Sequence, residues 1–280
     1  MTTACVPLEL MALTKTFPTP SGPVVAIEDV NAHVDEGEFV CILGHSGCGK
    51  STVLSIVAGL QAATRGAVAI DGRIVEGPGT DRALVFQAPC LLPWLTAREN
   101  VVLAVASRSP ASTSAQRRSE ANRYLALVGV DDAADQWPSE LSPGTQQCVS
   151  LARALALEPR FLLLDEPFST LDSLTRFGLQ DTLLHVWDRD RAMVVMVTHD
   201  IDEALYLADR VMLMTDGPAA RIEDVLSVPF PRPRDRAAVL EHALFYDYRC
   251  RIIDFLERHA RPGSPTRQPR WGGRPSRVAS

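Results

Sequence analysis

Gly44-His45-Ser46-Gly47-Cys48-Gly49-Lys50-Ser51, followed by Thr52, is the stretch that decides the fold. It fits the spacing G-x-x-x-x-G-K-[ST] and lies where that spacing carries meaning. The run Glu38 to Leu43 ahead of it reads as a buried strand, and a helical pattern follows, ending near Leu60. The glycines let the backbone curl until successive N–H groups point inward, and the N-terminal end of the following helix adds its partial positive charge. This arrangement suits the phosphates of a nucleotide, with Lys50 bridging the β- and γ-phosphates and Ser51 on Mg²⁺. Composition supports the reading. Of 28 basic residues only Lys15 and Lys50 are lysines, and one stands at the position where a compact ammonium fits and a guanidinium fork does not.

Outward from this loop, strand-like runs at Glu38 to Leu43, Ala67 to Ile70, Ala83 to Phe86, Phe161 to Leu164, Met193 to Val197 and Val211 to Thr215 alternate with helical patterns. Such alternation predicts an α/β fold with a largely parallel sheet covered by helices. Between Leu91 and Leu157 strand signals stop and helical patterning takes over, as in Glu120 to Leu127 and Gln146 to Leu157, which predicts an inserted α-helical subdomain. The expected organisation is one ATPase domain over 1–259. Its core covers about 1–90 and 158–235, the helical subdomain about 91–157, and a C-terminal helical region about 236–259. A basic tail at 260–280, rich in Pro, Gly, Ser and Arg, reads as disordered. No internal repeat is present, so the chain carries one catalytic unit.

With 46% hydrophobic residues in 280, the chain has enough apolar surface for a substantial core. No stretch reaches the roughly 18 consecutive apolar residues of a membrane span. The N-terminus lacks the pattern of a secretory signal, so a cytoplasmic location is expected. Six cysteines are scattered without metal-ligand spacing and read as reduced thiols. The tail after Ala260 holds five arginines and no acid; subtracting these from the net −6 leaves the rest at −11, which excludes a nucleic-acid-binding body.

Further candidates follow along the chain. Phe161-Leu162-Leu163-Leu164-Asp165-Glu166 is an apolar strand that delivers two acids at its end. Asp165 is the expected second Mg²⁺ ligand, and Glu166 the base that polarises the attacking water. His199 ends the strand that begins at Met193 and is placed to contact the γ-phosphate. Gln87 follows the strand Ala83 to Phe86, where it suits contact with Mg²⁺ and the water at the junction with the helical insert.

Taken in order, the phosphate loop, Gln87, Leu141-Ser142-Pro143-Gly144, Leu164-Asp165-Glu166-Pro167, Ser169-Thr170-Leu171-Asp172 and His199 resemble the ATPase subunits of ABC transporters, over about Leu8 to Glu257. The resemblance implies a P-loop NTPase core of RecA-like type and ATP and Mg²⁺ as cofactors, with Phe17 stacking on adenine. It also implies a head-to-tail dimer with a second ATPase subunit, identical or not. In that dimer Ser142 and Gly144 reach the γ-phosphate bound by the partner, and Asp172 runs along the interface. Transmembrane permease subunits, a solute-binding protein and a peripheral position on the cytoplasmic face of the membrane are implied as well. Val75-Glu76-Gly77-Pro78-Gly79, Leu91-Leu92-Pro93-Trp94 and Asp165-Glu166-Pro167-Phe168 are similar to nitrate, sulfonate and taurine importers. Leu95 to Asn100, Gly217 to Ala220 and Val228 to Arg234 are closest to nitrate importers, which makes nitrate the leading cargo, with a sulfonate such as taurine as the alternative.

Two departures stand out: Pro143 replaces a glycine of the family's Leu-Ser-Gly-Gly, and Cys148 replaces an arginine. A proline after Ser142 suits a helix start, with Ser142 as N-cap. The N–H donor it removes predicts attenuated hydrolysis, and a weak half of a heterodimeric ATPase is the alternative this motivates.

Overall fold

The computed structural model describes residues 7–260. Cys5 and the basic tail from Arg261 onward lie outside the described residues. The chain opens with β1 (Leu8–Phe17) and β2 (Val24–Val34), continues into β3 (Phe39–Leu43), and passes through the phosphate loop to α1 (Lys50–Val57). Next come β4 (Arg65–Ile70), β5 (Arg73–Ile74) and β6 (Arg82–Val85). Three helices follow, α2 (Ala97–Arg108), α3 (Ser114–Leu127) and α4 (Pro143–Leu155), with two short 3₁₀ turns between α3 and α4. The chain then alternates through β7 (Phe161–Asp165), α5 (Ser173–Asp190), β8 (Met193–Thr198), α6 (Ile201–Leu207) and β9 (Arg210–Met214). It closes with β10 (Ile222–Ser227), α7 (Arg236–Leu240) and α8 (Phe245–His259).

Six strands form one sheet in the order β10-β9-β3-β8-β7-β6. The five strands from β9 to β6 in that order are parallel, while β10 is antiparallel to β9 at one edge. The central parallel strands are near-continuous apolar runs because both faces are covered: every residue of β3 and β8 is buried. Side chains alternate between two cores. Phe39, Cys41, Leu43, Leu162, Leu164, Val194 and Met196 join the core shared with α4, α5, α6 and α8. Val40, Ile42, Leu163, Val195 and Val197 face the other way, onto α1 and a second sheet.

That second sheet, in the order β2-β1-β4-β5, is antiparallel and differs from the sequence expectation. Ala67 to Ile70 is a strand as predicted, but it pairs with β1 and takes no part in the parallel sheet. The expectation also omitted β1, β2, β5 and β10. Bulges at Ala12 and Asp29, both with φ of 49°, shift the register of the β1–β2 pair and break the period-2 pattern on which strand recognition rests. In β10 only Leu226 is buried, so no apolar run marks it.

Local chemistry sets the helix ends. Thr96 and Glu99 form a capping box on α2, Thr113 and Gln116 one on α3. Helix α1 stops at Val57, before the expected Leu60, because Gly59 turns the chain with φ 75°; a Cβ there would lie 2.1 Å from the Gly77 carbonyl oxygen. The Val75 to Gly79 segment is thereby packed against the end of the phosphate-loop helix. Asn100, fully buried, accepts from the Leu92 N–H at 2.8 Å and donates to the carbonyls of Leu92, Leu95 and Thr96. It fixes the turn that carries Leu91 to Leu95.

Candidate nucleotide-hydrolysis site

The chain leaves β3, β6, β7 and β8 at one rim of the parallel sheet, the carboxyl ends of its strands, where open α/β sheets bind ligands. The phosphate loop follows β3, Gln87 follows β6, Asp165 and Glu166 end β7, and His199 follows β8. Because β3, β8, β7 and β6 are successive neighbours in the sheet, segments more than a hundred residues apart in sequence meet at this rim.

Gly44, Gly47 and Gly49 do different work in the loop. A Cβ on Gly44 would press to 2.9 Å from the Met214 carbonyl oxygen, and one on Gly49, at φ 102°, would meet Ile27 Cγ2 at 2.6 Å. The loop is seated against β9 on one side and β2 on the other, and only glycine fits both approaches. Lys50 is buried, and its Nζ donates to the carbonyls of Gly44 (2.8 Å) and His45 (2.9 Å). Ser46 and Gly47 lie exposed at the crest of the loop, while Cys48 is buried beneath it, burial pushing its thiol pKa up. Thr52 sits half-buried in the first turn of α1.

Ser51 Oγ donates to Asp165 Oδ1 at 2.8 Å. Burial raises the Asp165 carboxyl pKa, and the Ser51 hydrogen bond offsets only part of that rise. A half-buried carboxylate beside a serine hydroxyl suits a divalent cation that takes oxygen ligands and keeps much of its coordination for phosphate and water. The donor set therefore fits Mg²⁺.

Glu166 adopts φ 46°, an uncommon conformation for a residue with a side chain. Its N–H donates to the Val197 carbonyl at 2.9 Å, and its own carbonyl accepts from the Ser169 N–H and hydroxyl. Held this way, its carboxylate meets Gln87, whose Nε2 donates to Oε2 at 3.2 Å, and His199, whose Nδ1 lies 3.2 Å from the same oxygen. The three residues expected from separate strand ends thus converge on one oxygen.

Ser142, Gly144 and Asp172 form a second group. Ser142 Oγ caps α4 by accepting from the Thr145 N–H at 3.1 Å, with Pro143 as the first helical residue, as the sequence predicts. Gly144 abuts Leu171, to which a Cβ would approach within 3.2 Å. Asp172 caps α5 from the N–H groups of Leu174 and Thr175, and the Thr175 donors hold its carboxyl below the usual range. The side-chain hydrogen bonds of Ser142 and Asp172 run to their own helices. Phe17 ends β1 half-exposed, with the Lys15 ammonium 5.2 Å from its ring centroid.

Sequence reading missed Gln147. It is buried in α4, and its Nε2 donates to the Phe86 carbonyl at 3.1 Å, tying the signature helix to the residue before Gln87. A glutamine beside the apolar stripe of Cys148, Val149, Leu151 and Ala152 was the available signal. Glu203 was missed as well, buried in the first turn of α6 with Gln180 donating to it at 2.8 Å.

A glycine-built loop on a central parallel strand, with a lysine at its base and acids on the neighbouring strand end, defines a P-loop nucleoside triphosphatase. Comparison with known proteins carries this further. The family model described as ABC transporter matches residues 27–169. The nitrate import ATP-binding protein NrtD of Synechococcus elongatus is 51% identical over 244 residues, covering 87% of this chain and 89% of that protein. The bicarbonate transport ATP-binding protein CmpD of Synechocystis is 49% identical over 249 residues, covering 89% and 88%. Among solved structures, the dimeric ATP-binding cassette MJ0796 in a post-hydrolysis state with ADP and Pi superposes with a TM-score of 0.74 at 34% identity, over 80% of this chain and all of that one. The chain belongs to the ABC transporter ATP-binding family and is an ATPase that serves transport.

Proposed function

We propose that this chain energises an importer of a small inorganic anion, nitrate in first place, by hydrolysing MgATP between two ATPase subunits on the cytoplasmic face of a membrane. The observation that carries the hydrolytic reading is the convergence of Gln87 and His199 on the Glu166 carboxylate beside the Ser51–Asp165 pair. In this reading the N–H groups from Gly44 through Thr52 and the Lys50 ammonium bind the phosphates. Ser51, Asp165 and Gln87 hold Mg²⁺, which neutralises charge on the phosphate oxygens when bound. Glu166 accepts a proton from water as its oxygen attacks the γ-phosphorus. The bond to the bridging oxygen breaks, ADP leaves with that electron pair, and phosphate is released. Gln87 contacts the attacking water and His199 the γ-phosphoryl group, both beside the Glu166 carboxylate, and Phe17 stacks on adenine.

Ser142, Gly144 and Asp172 complete the site of a second ATPase subunit, identical or homologous. Ser142 and Asp172 cap their own helices, and the dimeric form of the MJ0796 cassette supports this reading. Permease subunits dock at a groove of about 330 Å³ bordered by Leu84, Leu92, Leu103, Ala104 and Arg153, beside Trp94, which is 66% exposed. Among the described residues no helix is long and apolar enough to cross a membrane, so the membrane component lies in other chains. A solute-binding protein belongs to the same proposed system. The inserted helical subdomain over about 91–157 and the core on either side of it are the units that would move against each other. Bicarbonate is the second reading for the cargo, favoured by the CmpD relatives.

The test is uptake of labelled nitrate and bicarbonate, with taurine as comparison, in a strain lacking the gene and complemented by wild type or Lys50→Ala. Loss of nitrate uptake rescued by wild type alone supports the proposal. Loss confined to bicarbonate or taurine moves the cargo, and rescue by Lys50→Ala overturns a hydrolytic role in favour of a weak half.

A further inference from the structure

The geometry points to α8 as a brace that holds the phosphate loop in register with His199, with His45 and Arg249 as positioning residues at its two ends. His45 lies inside the loop, yet its ring reaches out of it: Nε2 is 2.9 Å from the carbonyl oxygen of Leu256 in α8. A carbonyl only accepts, so Nε2 carries the proton and donates. The backbone of the same residue serves the loop from within, its carbonyl accepting from Lys50 Nζ at 2.9 Å and from the Cys48 N–H at 3.3 Å. One residue thus ties the lysine's carbonyl partner to a helix two hundred positions away.

Ten ångströms or so along α8, roughly two turns, Arg249 Nε donates to Asp202 Oδ1 at 2.8 Å. Asp202 stands in the first turn of α6, three residues after His199. The helix between these two contacts is itself fixed. Phe245, Ile252 and Phe255 are buried in the main core, and Arg251 donates to Asp224 of β10 at 3.0 Å. His259 lies 3.4 Å from Glu223 of the same strand. A rigid element therefore touches two segments that face the γ-phosphate in the proposed site, on which this inference rests.

The experiment uses the full chain and separates the two readings. ATP affinity, KM and kcat are measured for wild type, Lys50→Ala, His45→Ala, His45→Gln, Arg249→Glu and the reversed pair Asp202→Arg with Arg249→Glu, with thermal melts to confirm folding. His45→Ala is expected to raise KM and the ATP dissociation constant about two- to tenfold, the scale of one lost hydrogen bond. His45→Gln, whose amide N–H replaces Nε2–H, is expected to restore both. Arg249→Glu is expected to lower kcat about two- to fivefold with KM unchanged, the scale of an exposed ion pair, and the reversed pair to recover it. Wild-type constants for His45→Ala, or a loss that His45→Gln fails to recover, overturn the brace while Lys50→Ala remains defective in binding. If Lys50→Ala binds ATP as wild type does, the nucleotide site itself is misread and the brace falls with it.

Discussion

Pro143 shows how a single residue separates structure from chemistry. It occupies the first position of α4, where a proline's fixed φ is favourable and its missing N–H costs the helix nothing. In the proposed dimer the same missing N–H is a lost donor to phosphate, worth about 1.5–3 kcal/mol if charge-assisted. Pro143→Gly is therefore expected to raise the ATPase rate about ten- to a hundredfold, measured as phosphate release, with a slightly lower melting temperature. An unchanged rate would refute the donor argument. Glu166 is the opposite case, a residue whose proposed role rests on the carboxylate's ability to accept a proton. Glu166→Gln is expected to reduce hydrolysis about 10²- to 10⁴-fold while retaining ATP binding in a fluorescence titration; hydrolysis at the wild-type rate would remove Glu166 from the role of base.

At the scale of elements, α6 is held at both ends. Asp200 caps its start, accepting from the Glu203 N–H at 3.1 Å. At the other end Arg234 donates to the carbonyls of Leu205, Tyr206 and Ala208, and Arg232 to that of Leu207. Cations suit that end of a helix. The arginines come from Val228 to Arg234, a segment whose sequence pointed to a transporter subgroup and whose physical task is this cap. The Arg234 side chain is 1% exposed, and burial brings its pKa down to about 10. Arg234→Met is expected to destabilise the chain by about 2–4 kcal/mol in urea unfolding, because three carbonyls lose their donor. A loss near zero would mean water takes the guanidinium's place. Glu203 makes the same helix sensitive to pH. Burial first, then the Asp200 charge, raises its pKa above the ordinary 4.5, and the Thr198 and Gln180 hydrogen bonds offset part of the rise. Its contribution to stability is thus present below 4.5 and lost as pH climbs through the raised value. Melting temperatures of Glu203→Gln are expected to exceed those of wild type increasingly over that climb, and parallel curves would refute the assignment. None of this network was legible in the sequence. Uniformly apolar runs such as Met193 to Val197 announce a buried strand, and the phosphate-loop spacing announces its own chemistry. A lone buried glutamate, a carbonyl-capping arginine or the left-handed turn of Glu166 leaves no pattern, since each is defined by partners distant in the chain.

For the whole molecule, the proposed function assigns the two groups of residues to different nucleotide sites, each completed by a second subunit. With hydrolysis blocked in Glu166→Gln, ATP is expected to convert the isolated chain from monomer to dimer in sedimentation velocity, and adding Lys50→Ala to abolish that shift; a monomer throughout would favour an obligate heterologous partner. The parallel sheet carries a last consequence. Its reactive side chains hang from one rim, and the turns feeding the strands at the other rim, Glu158 to Arg160 ahead of β7 and Arg191 to Ala192 ahead of β8, take no part in that group. Lengthening such a turn adds a slowly growing closure cost and puts at risk contacts such as Arg160 with Glu36 and Asp71, yet the strand still delivers the same residue at its far end. The sheet thus divides the molecule into a margin that must be copied faithfully and a margin open to drift. New domains, tags or regulatory insertions are most readily accommodated at the second.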